Sequence, residues 1–374
     1  MEREDGMKHA VILLEEPGQA WHKHATLVSI GKRLAKLKGC PLIEDPPGDH
    51  WADRAGNYYL PASTLSLDSL PGDGPGWTPA DLFGGVVPHT FMASKIITHP
   101  LLGLGASGPD GWSHVFPQKV GDVALRGFAV FSRADLVAAG ERLLRFGPIR
   151  VKAGQADGGK GQYEFTDARD LASWAGEISE QAFEEGFVLE ENLAEARTFS
   201  VGQIILDGTM LTYIGKQRAT LDKRGRETYG GTTLYAVQGD WDALISRTTT
   251  ALSREIIAAA RLYDDCAANI LGIVASRRNY DVIVGQDAAG RRRVAVLEQS
   301  WRTGGATPAE MLALETFVQE ADVVAVRASS HEVFGAVGTG DPSHRIFCSG
   351  VDPVEGPITK YAKLEVKYHA QQQD

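Results

Sequence analysis

The stretch IRVKAGQADGGKGQ sets a lysine, Lys152, in an apolar run and follows it with Gly154, Gly158, Gly159 and Gly161. Glycine has no Cβ, so such a loop can bring backbone N–H groups against phosphate oxygens while Lys152 adds a point charge. Within this stretch neither GxxxxGK[ST] nor GxGxxG occurs, so the loop is neither a P-loop nor the dinucleotide fingerprint. A plain structural turn would use the same residues.

A second constellation, DVIVGQDAAGRRRVAVLEQSWRTGG, reads as two strands joined at Ala-Ala-Gly. A two-residue turn at Ala289 and Gly290 sets Asp281 opposite Glu298, and alternation puts Ser300 and Arg302 on the same face while the strand lasts. A register slip of two is open. Opposed carboxylates repel, so the pair needs solvent, a partner among Arg291, Arg292 and Arg293, or a divalent cation. All-oxygen ligands suit magnesium, which takes one or two carboxylates and fills its shell with phosphates and water. A solvated hairpin surface is the alternative. In FVLEENLAEARTFSV a strand runs through polar residues into another strand; such a crossing can offer N–H and C=O groups and the Glu190 carboxylate to a planar base, or be a simple acidic loop.

These groups need elements to hold them. His9 to Leu14 reads as a strand, and Leu27, Ile30, Leu34 and Leu37 line one face of a helix from Ala20 that Gly39 and Pro41 stop. Pro46 to Gly85, rich in Pro, Gly and Asp, predicts rim loops. Ser94 to Leu102 reads as helical, Pro117 to Asp122 as a connection, and Ser132 as the cap of a helix to about Phe146. Ile149 to Ala153 and Phe187 to Leu189 read as strands around a helix beginning at Thr166. Asp207-Gly208 predicts a hairpin between Thr198 and Ile214. Trp241 to about Cys266 reads as one long helix, and Tyr229-Gly230-Gly231 as a mobile cover. Strands follow at Tyr280 to Val284 and Val294 to Leu297. The alternation predicts a mixed α/β chain.

At 374 residues the chain exceeds one typical core, so two or three lobes with a cleft are expected. A hydrophobic fraction of 43% with 23% charged residues is that of a folded chain, which excludes a disordered one. A formal charge of −10 argues against nucleic acid, whose binding needs clustered cations. The apolar run from Ala10 to Leu14 is too short for a signal peptide or a membrane span, so a cytoplasmic protein is expected, with no membrane partner. Cys40, Cys266 and Cys348 are widely spaced and form neither a disulfide framework nor a zinc motif. A homo-oligomer is compatible with all of this.

In this order, the glycine loop with its lysine, the hinge-like crossing and the Asp-to-Glu hairpin resemble the ATP-grasp superfamily, which includes biotin carboxylase and D-alanine:D-alanine ligase. The likeness runs from about Ser94 to Pro308, and the beginning of the chain is similar to an uncharacterised group of bacterial ATP-grasp-like proteins. The resemblance implies an N-terminal open α/β lobe (1–92), two lobes enclosing ATP (93–186 and 187–330) and a C-terminal tail (331–374). It implies that Lys95, Lys152 and the loop with Gly158, Gly159 and Gly161 contact phosphate. Glu190, the Glu191 carbonyl and the Leu193 amide would read adenine; Lys216 and Arg218 would either reach the triphosphate or substrate from the strand after the hinge or stand on a solvated strand face. Asp281 and Glu298, joined by Ser300 where the family has Asn, would hold magnesium. Arg302 would stabilise a tetrahedral intermediate. The family's ribose carboxylate is missing at Thr198, with Glu195 as a replacement nearby. The implied activity is an ATP- and Mg²⁺-dependent ligase that joins a small-molecule carboxylate to an amine or other nucleophile through an acylphosphate. The alternatives are a kinase-like phosphotransferase and a nucleotide-binding protein without turnover.

Overall fold

The computed structural model describes residues 8–48, 50–70, 76–155 and 161–370. Along the chain come β1 (Ala10–Leu14), α1 (Trp21–Lys38), β2 (Leu42–Ile43), β3 (Asn57–Pro61), β4 (Leu65–Ser66), β5 (Gly85–Val87), α2 (Val115–Val120), β6 (Gly127–Val130) and α3 (Arg133–Leu144). Next are β7 (Ile149–Ala153), β8 (Gln162–Phe165), α4 (Ala168–Glu177), α5 (Ala182–Glu185), β9 (Phe187–Glu191), β10 (Ala194–Leu206), β11 (Thr209–Leu221) and β12 (Glu227–Gln238). The chain continues through α6 (Trp241–Arg247), α7 (Ala251–Leu271), β13 (Val274–Ala275), β14 (Arg277–Gln286), β15 (Arg292–Ser300), α8 (Thr307–Gln319), β16 (Val323–Phe334), β17 (Arg345–Asp352) and β18 (Gly356–His369).

Three sheets matter for the site. A small parallel sheet, β2-β1-β3, packs on α1, whose end is capped by Gly39 in the left-handed region. An antiparallel sheet, β6-β9-β7-β8, carries Lys152 and Glu190. An eight-stranded sheet, β15-β14-β10-β11-β12-β16-β18-β17, carries the Asp281–Glu298 hairpin at one edge. The fold is thus the expected α/β type with several sheets. No helix among the described residues is long and apolar enough to cross a membrane.

Several expectations are corrected. The segment read as rim loops contains β3, which pairs in parallel with β1 and is buried along its whole length; burial on both faces removes the alternation that marks a strand. Ser94 to Leu102 is not a helix but includes a 3-10 turn, Lys95–Thr98, with Ser94 Oγ accepting from the Ile96 N–H. The connection around Pro117 is helical, with the proline in the first turn, where its missing N–H costs little. The long helix breaks at Thr248 to Thr250, and Thr250 Oγ1 caps α7 by accepting from the Ser253 N–H. The Tyr229-Gly230-Gly231 segment is part of β12, not a loop. From residue 331 the chain completes β16 and adds β17 and β18 to the large sheet, so it is not a detached tail.

The β14–β15 hairpin reaches its expected pairing by an unexpected route. The turn has three residues, Ala288 to Gly290, closed by Asp287 N–H to Arg291 O at 3.0 Å, and Asp287 Oδ1 accepts from the Ala289 and Arg291 N–H groups. That shifts the first pairs by one, so Val282 faces Val296. A bulge at Leu297 shifts the register back, and Asp281 faces Glu298.

Candidate functional site

Alternation decides which side chains meet on the large sheet. Tyr280, Val282 and Val201 point to the face packed by α7, whose Ile256, Ile257 and Tyr263 share their core. Asp281, Glu298 and Ser200 therefore point the other way, because Asp281 pairs with both Ser200 and Glu298. Gln217 joins them: its amide donates 2.9 Å bonds to Ser200 Oγ and Asp281 Oδ1. Asn279 also donates to Asp281 Oδ1, at 3.1 Å. Burial and the neighbouring Glu298 charge push the Asp281 carboxyl up to about 6, against the lowering by these two amides.

This donor set fits a hard divalent cation. Two half-buried carboxylates share one face, the oxygen-only arrangement that magnesium takes. Among the described residues no group of three or more His, Cys, Asp or Glu side chains gathers to hold a metal, so phosphates and water would complete the shell. Ser300 lies on the same face, but the Arg277 guanidinium stands 3.5 Å from its hydroxyl, a poor neighbour for a second cation.

Lys95 reaches this pair from outside the sheet. Its Nζ lies 3.0 Å from Glu298 Oε2, and the residue is 9% exposed. The second lysine belongs to the other sheet, where Ile149 and Val151 pack against α3 and α4, leaving Arg150 and Lys152 on the opposite face. Glu190 shares that face, and its Oε1 is 2.5 Å from Lys152 Nζ. His99 Nε2 stands 3.3 Å from Glu190 Oε2. Burial pushes the Glu190 carboxyl up, but Lys152 and then His99 outweigh it and hold it at about 2. Gly127 makes room for this contact, because a Cβ there would meet the His99 ring at 2.7 Å.

The loop after Lys152 is described only at its ends. Gly158 and Gly159 lie outside the described residues. Gly161, with φ of +63°, accepts from the Ala153 N–H at 3.1 Å. Gly154 sits so close to Ile96 Cδ1 that a Cβ would lie 2.4 Å from it.

At the crossing, Glu191 is tied to both sheets: its Oε1 accepts from the Arg126 N–H beside β6 at 3.1 Å and lies 3.2 Å from Arg293 Nη1 of β15. Leu193 packs with Leu125, Ala295, Ile283 and Leu297, an apolar patch between the small antiparallel sheet and the hairpin. Glu195 is held in the left-handed region with φ of 51°, and its Oε2 accepts from Gln286 Nε2.

Two expected residues stand elsewhere. Lys216 pairs with Phe199 and Thr233 and is exposed on the opposite face from Asp281. The Asp207-Gly208 turn already fixes this, since it sets Ser200 against Gly215 and alternation then turns Gln217, not Lys216, toward Ser200. Arg218 donates to Thr233 Oγ1 and Ser330 O, both at 2.8 Å, and stays within the sheet. Arg302 is half-buried beyond the end of β15, and its Nη1 donates to Thr303 O at 2.9 Å.

Sequence reading missed the ion pair that sets this end of the hairpin. Arg277 and Glu310 are almost fully buried and form a bidentate pair at 2.9 and 2.7 Å. The same guanidinium donates to the Ser300 carbonyl at 3.1 Å and to the Arg302 carbonyl. The Tyr213 hydroxyl lies 2.5 Å from Glu310 Oε1 and 2.9 Å from Asn279 Oδ1, so the pair connects to the Asp281 shell.

The fold is similar to that of carboxyaminoimidazole ribonucleotide synthase from Aspergillus clavatus complexed with ATP, at 10% identity and a TM-score of 0.50, covering 96% of this chain and 94% of that one. N5-carboxyaminoimidazole synthase from Aspergillus clavatus in complex with ADP and 5-aminoimidazole ribonucleotide matches at 9% identity with the same TM-score and coverage. D-alanyl-alanine synthetase A from Vibrio cholerae matches at 12% identity and a TM-score of 0.49, covering 84% of this chain and 98% of that one. The chain has an ATP-grasp fold. No curated protein matches it. The model of the family described as "Protein of unknown function (DUF3182)" matches residues 11–362, nearly the whole chain, and the chain belongs to that family.

Proposed function

We propose that this protein is an ATP- and magnesium-dependent ligase that activates a small-molecule carboxylate as an acylphosphate for attack by an amine or another nucleophile, in the cytoplasm. The observation that carries the reading is the opposed pair Asp281 and Glu298, two half-buried carboxylates on one face of the sheet, with Lys95 3.0 Å from the latter. ATP would lie between the lobe spanning 93–186 and that spanning 187–330. Its base would pack on Leu125, Leu193 and Ile283 near Glu190 and Glu191, and its phosphates would meet Lys152, Lys95 and the loop ending at Gly161. Magnesium held by Asp281 and Glu298 would supply charge neutralisation at the phosphates.

The chain's own groups then account for the remaining steps. A substrate carboxylate oxygen attacks the γ-phosphorus, the bond to the β-phosphate oxygen breaks and ADP leaves; Lys95 and Lys152 hold the phosphate charge in place. The nucleophile adds to the activated carbonyl and phosphate departs, with Arg302, just past the end of β15, stabilising the tetrahedral oxyanion. ADP release across pooled carboxylates and amines, followed by mass spectrometry of the product, tests the reading. A ligated product with ADP and phosphate is expected. A stable phosphorylated substrate, or ATP binding with no ADP formed in any pool, would overturn it.

A further inference from the structure

Glu298 faces the site, so its neighbour Gln299 must face the other way, and there it is 5% exposed. Its Nε2 donates to Met92 O at 3.0 Å and Ser94 O at 2.7 Å, which uses both amide hydrogens. Its Oε1 accepts from the Tyr263 hydroxyl of α7 at 3.2 Å. Tyr263 OH also lies 2.8 Å from Thr98 Oγ1. The two carbonyls precede the 3-10 turn Lys95–Thr98 and Thr98 closes it, so the Gln299–Tyr263 unit grips that turn at both ends.

β15 is the edge strand of the large sheet, so a segment running along its free side can touch both faces at once. The turn does so. Its backbone is bound by Gln299 on the α7 face, while Lys95 reaches round to Glu298 on the site face. Two consecutive residues of one strand thus handle the same turn, one by its backbone and one by its lysine.

We propose that Gln299 is a positioning residue that sets Lys95 on the site through the Met92 and Ser94 carbonyls, a role resting on the ATP-dependent reading given above for the use of Lys95. Hydrophobic residues would fill the same volume on this face, but none offers two donors to two buried carbonyls. A merely structural Gln299 would support the fold without any special tie to Lys95, and the two roles separate in a double-mutant cycle.

The test compares the parent, Gln299→Met, Lys95→Met and the double variant. Acylation of lysines by a small reagent, read by mass spectrometry without nucleotide, should leave Lys95 slow in the parent and speed it several-fold in Gln299→Met, with exposed Lys216 as the unchanged reference. ATP affinity should fall about tenfold on Gln299→Met in the parent and less than about twofold in the Lys95→Met background. If Gln299→Met does not fold, Tyr263→Phe, which removes the hydroxyl that meets both Gln299 and Thr98, carries the comparison against Thr98→Val, which loses only the Thr98 contact, with a smaller expected change. Unchanged Lys95 acylation in a folded variant, or an equal loss of ATP affinity in both backgrounds, would overturn the proposal. A parent that binds no ATP would instead end the functional reading, while the acylation comparison would still decide the positioning.

Discussion

Lys95 Nζ lies 3.0 Å from Glu298 Oε2, joining a 3-10 turn to the edge strand that carries the two opposed carboxylates. The Glu298 side chain is 33% exposed, so as an ion pair this contact contributes modestly, about 0.2–1 kcal/mol. Its value lies in where it holds a cation. Lys95→Met is expected to lower the melting temperature by only a few degrees but to weaken ATP binding about tenfold or more, as loss of a charge-assisted bond does. Calorimetric titration checks this, and an unchanged affinity would contradict the role of Lys95.

Glu190 gives a pH prediction. Its folded value of about 2 lies below the ordinary 4.5, so the folded state binds fewer protons than the unfolded chain across that interval. The stability it contributes is complete above about pH 4.5 and is lost as pH falls toward 2. Glu190→Gln should remove this contribution, on the order of 3 kcal/mol at pH 7, and the difference from the parent should shrink between pH 4.5 and 2. Denaturant unfolding of both proteins across that range measures it. A difference independent of pH would contradict the Lys152–Glu190–His99 electrostatics.

Arg277→Met should destabilise the fold by about 3–5 kcal/mol, because it strands Glu310 as a buried carboxylate with only the Tyr213 hydroxyl beside it. Removing Glu310 as well, with leucine, should recover much of that loss, since a buried pair costs desolvation that apolar groups do not. Urea midpoints of the two variants decide it. A double variant no more stable than Arg277→Met would contradict the pairing.

The legible parts of the site were those fixed by local chemistry. Lys152 and its glycines stand together in sequence, and Asp281 and Glu298 flank one turn, so strand alternation was enough to oppose them. The turn itself was misread by one residue, and the bulge at Leu297 cancelled the error. Of the two places open to Lys216 it takes the solvated strand face, because the Asp207-Gly208 turn sets Ser200 against Gly215 and so turns Gln217 toward Asp281. The Arg277–Glu310 pair and the Gln299–Ser94 bond join elements distant in sequence, and no local period carries such contacts. β3 was hidden by the Pro, Gly and Asp residues around it and by burial on both faces.

The central claim is that Asp281 and Glu298 hold magnesium for nucleotide, and Glu298→Gln tests it most directly. Glutamine keeps the shape and one acceptor oxygen but removes the charge a hard cation requires. Melting temperature is measured for parent and variant without ligand, with ATP and chelator, and with ATP and magnesium. A ligand stabilises through its affinity for the folded state, so the increment due to magnesium reports the metal site. The account predicts a magnesium increment in the parent that shrinks sharply in Glu298→Gln, with the unliganded variant folded and turnover nearly abolished. An equal magnesium increment in both proteins, with turnover retained, would contradict it.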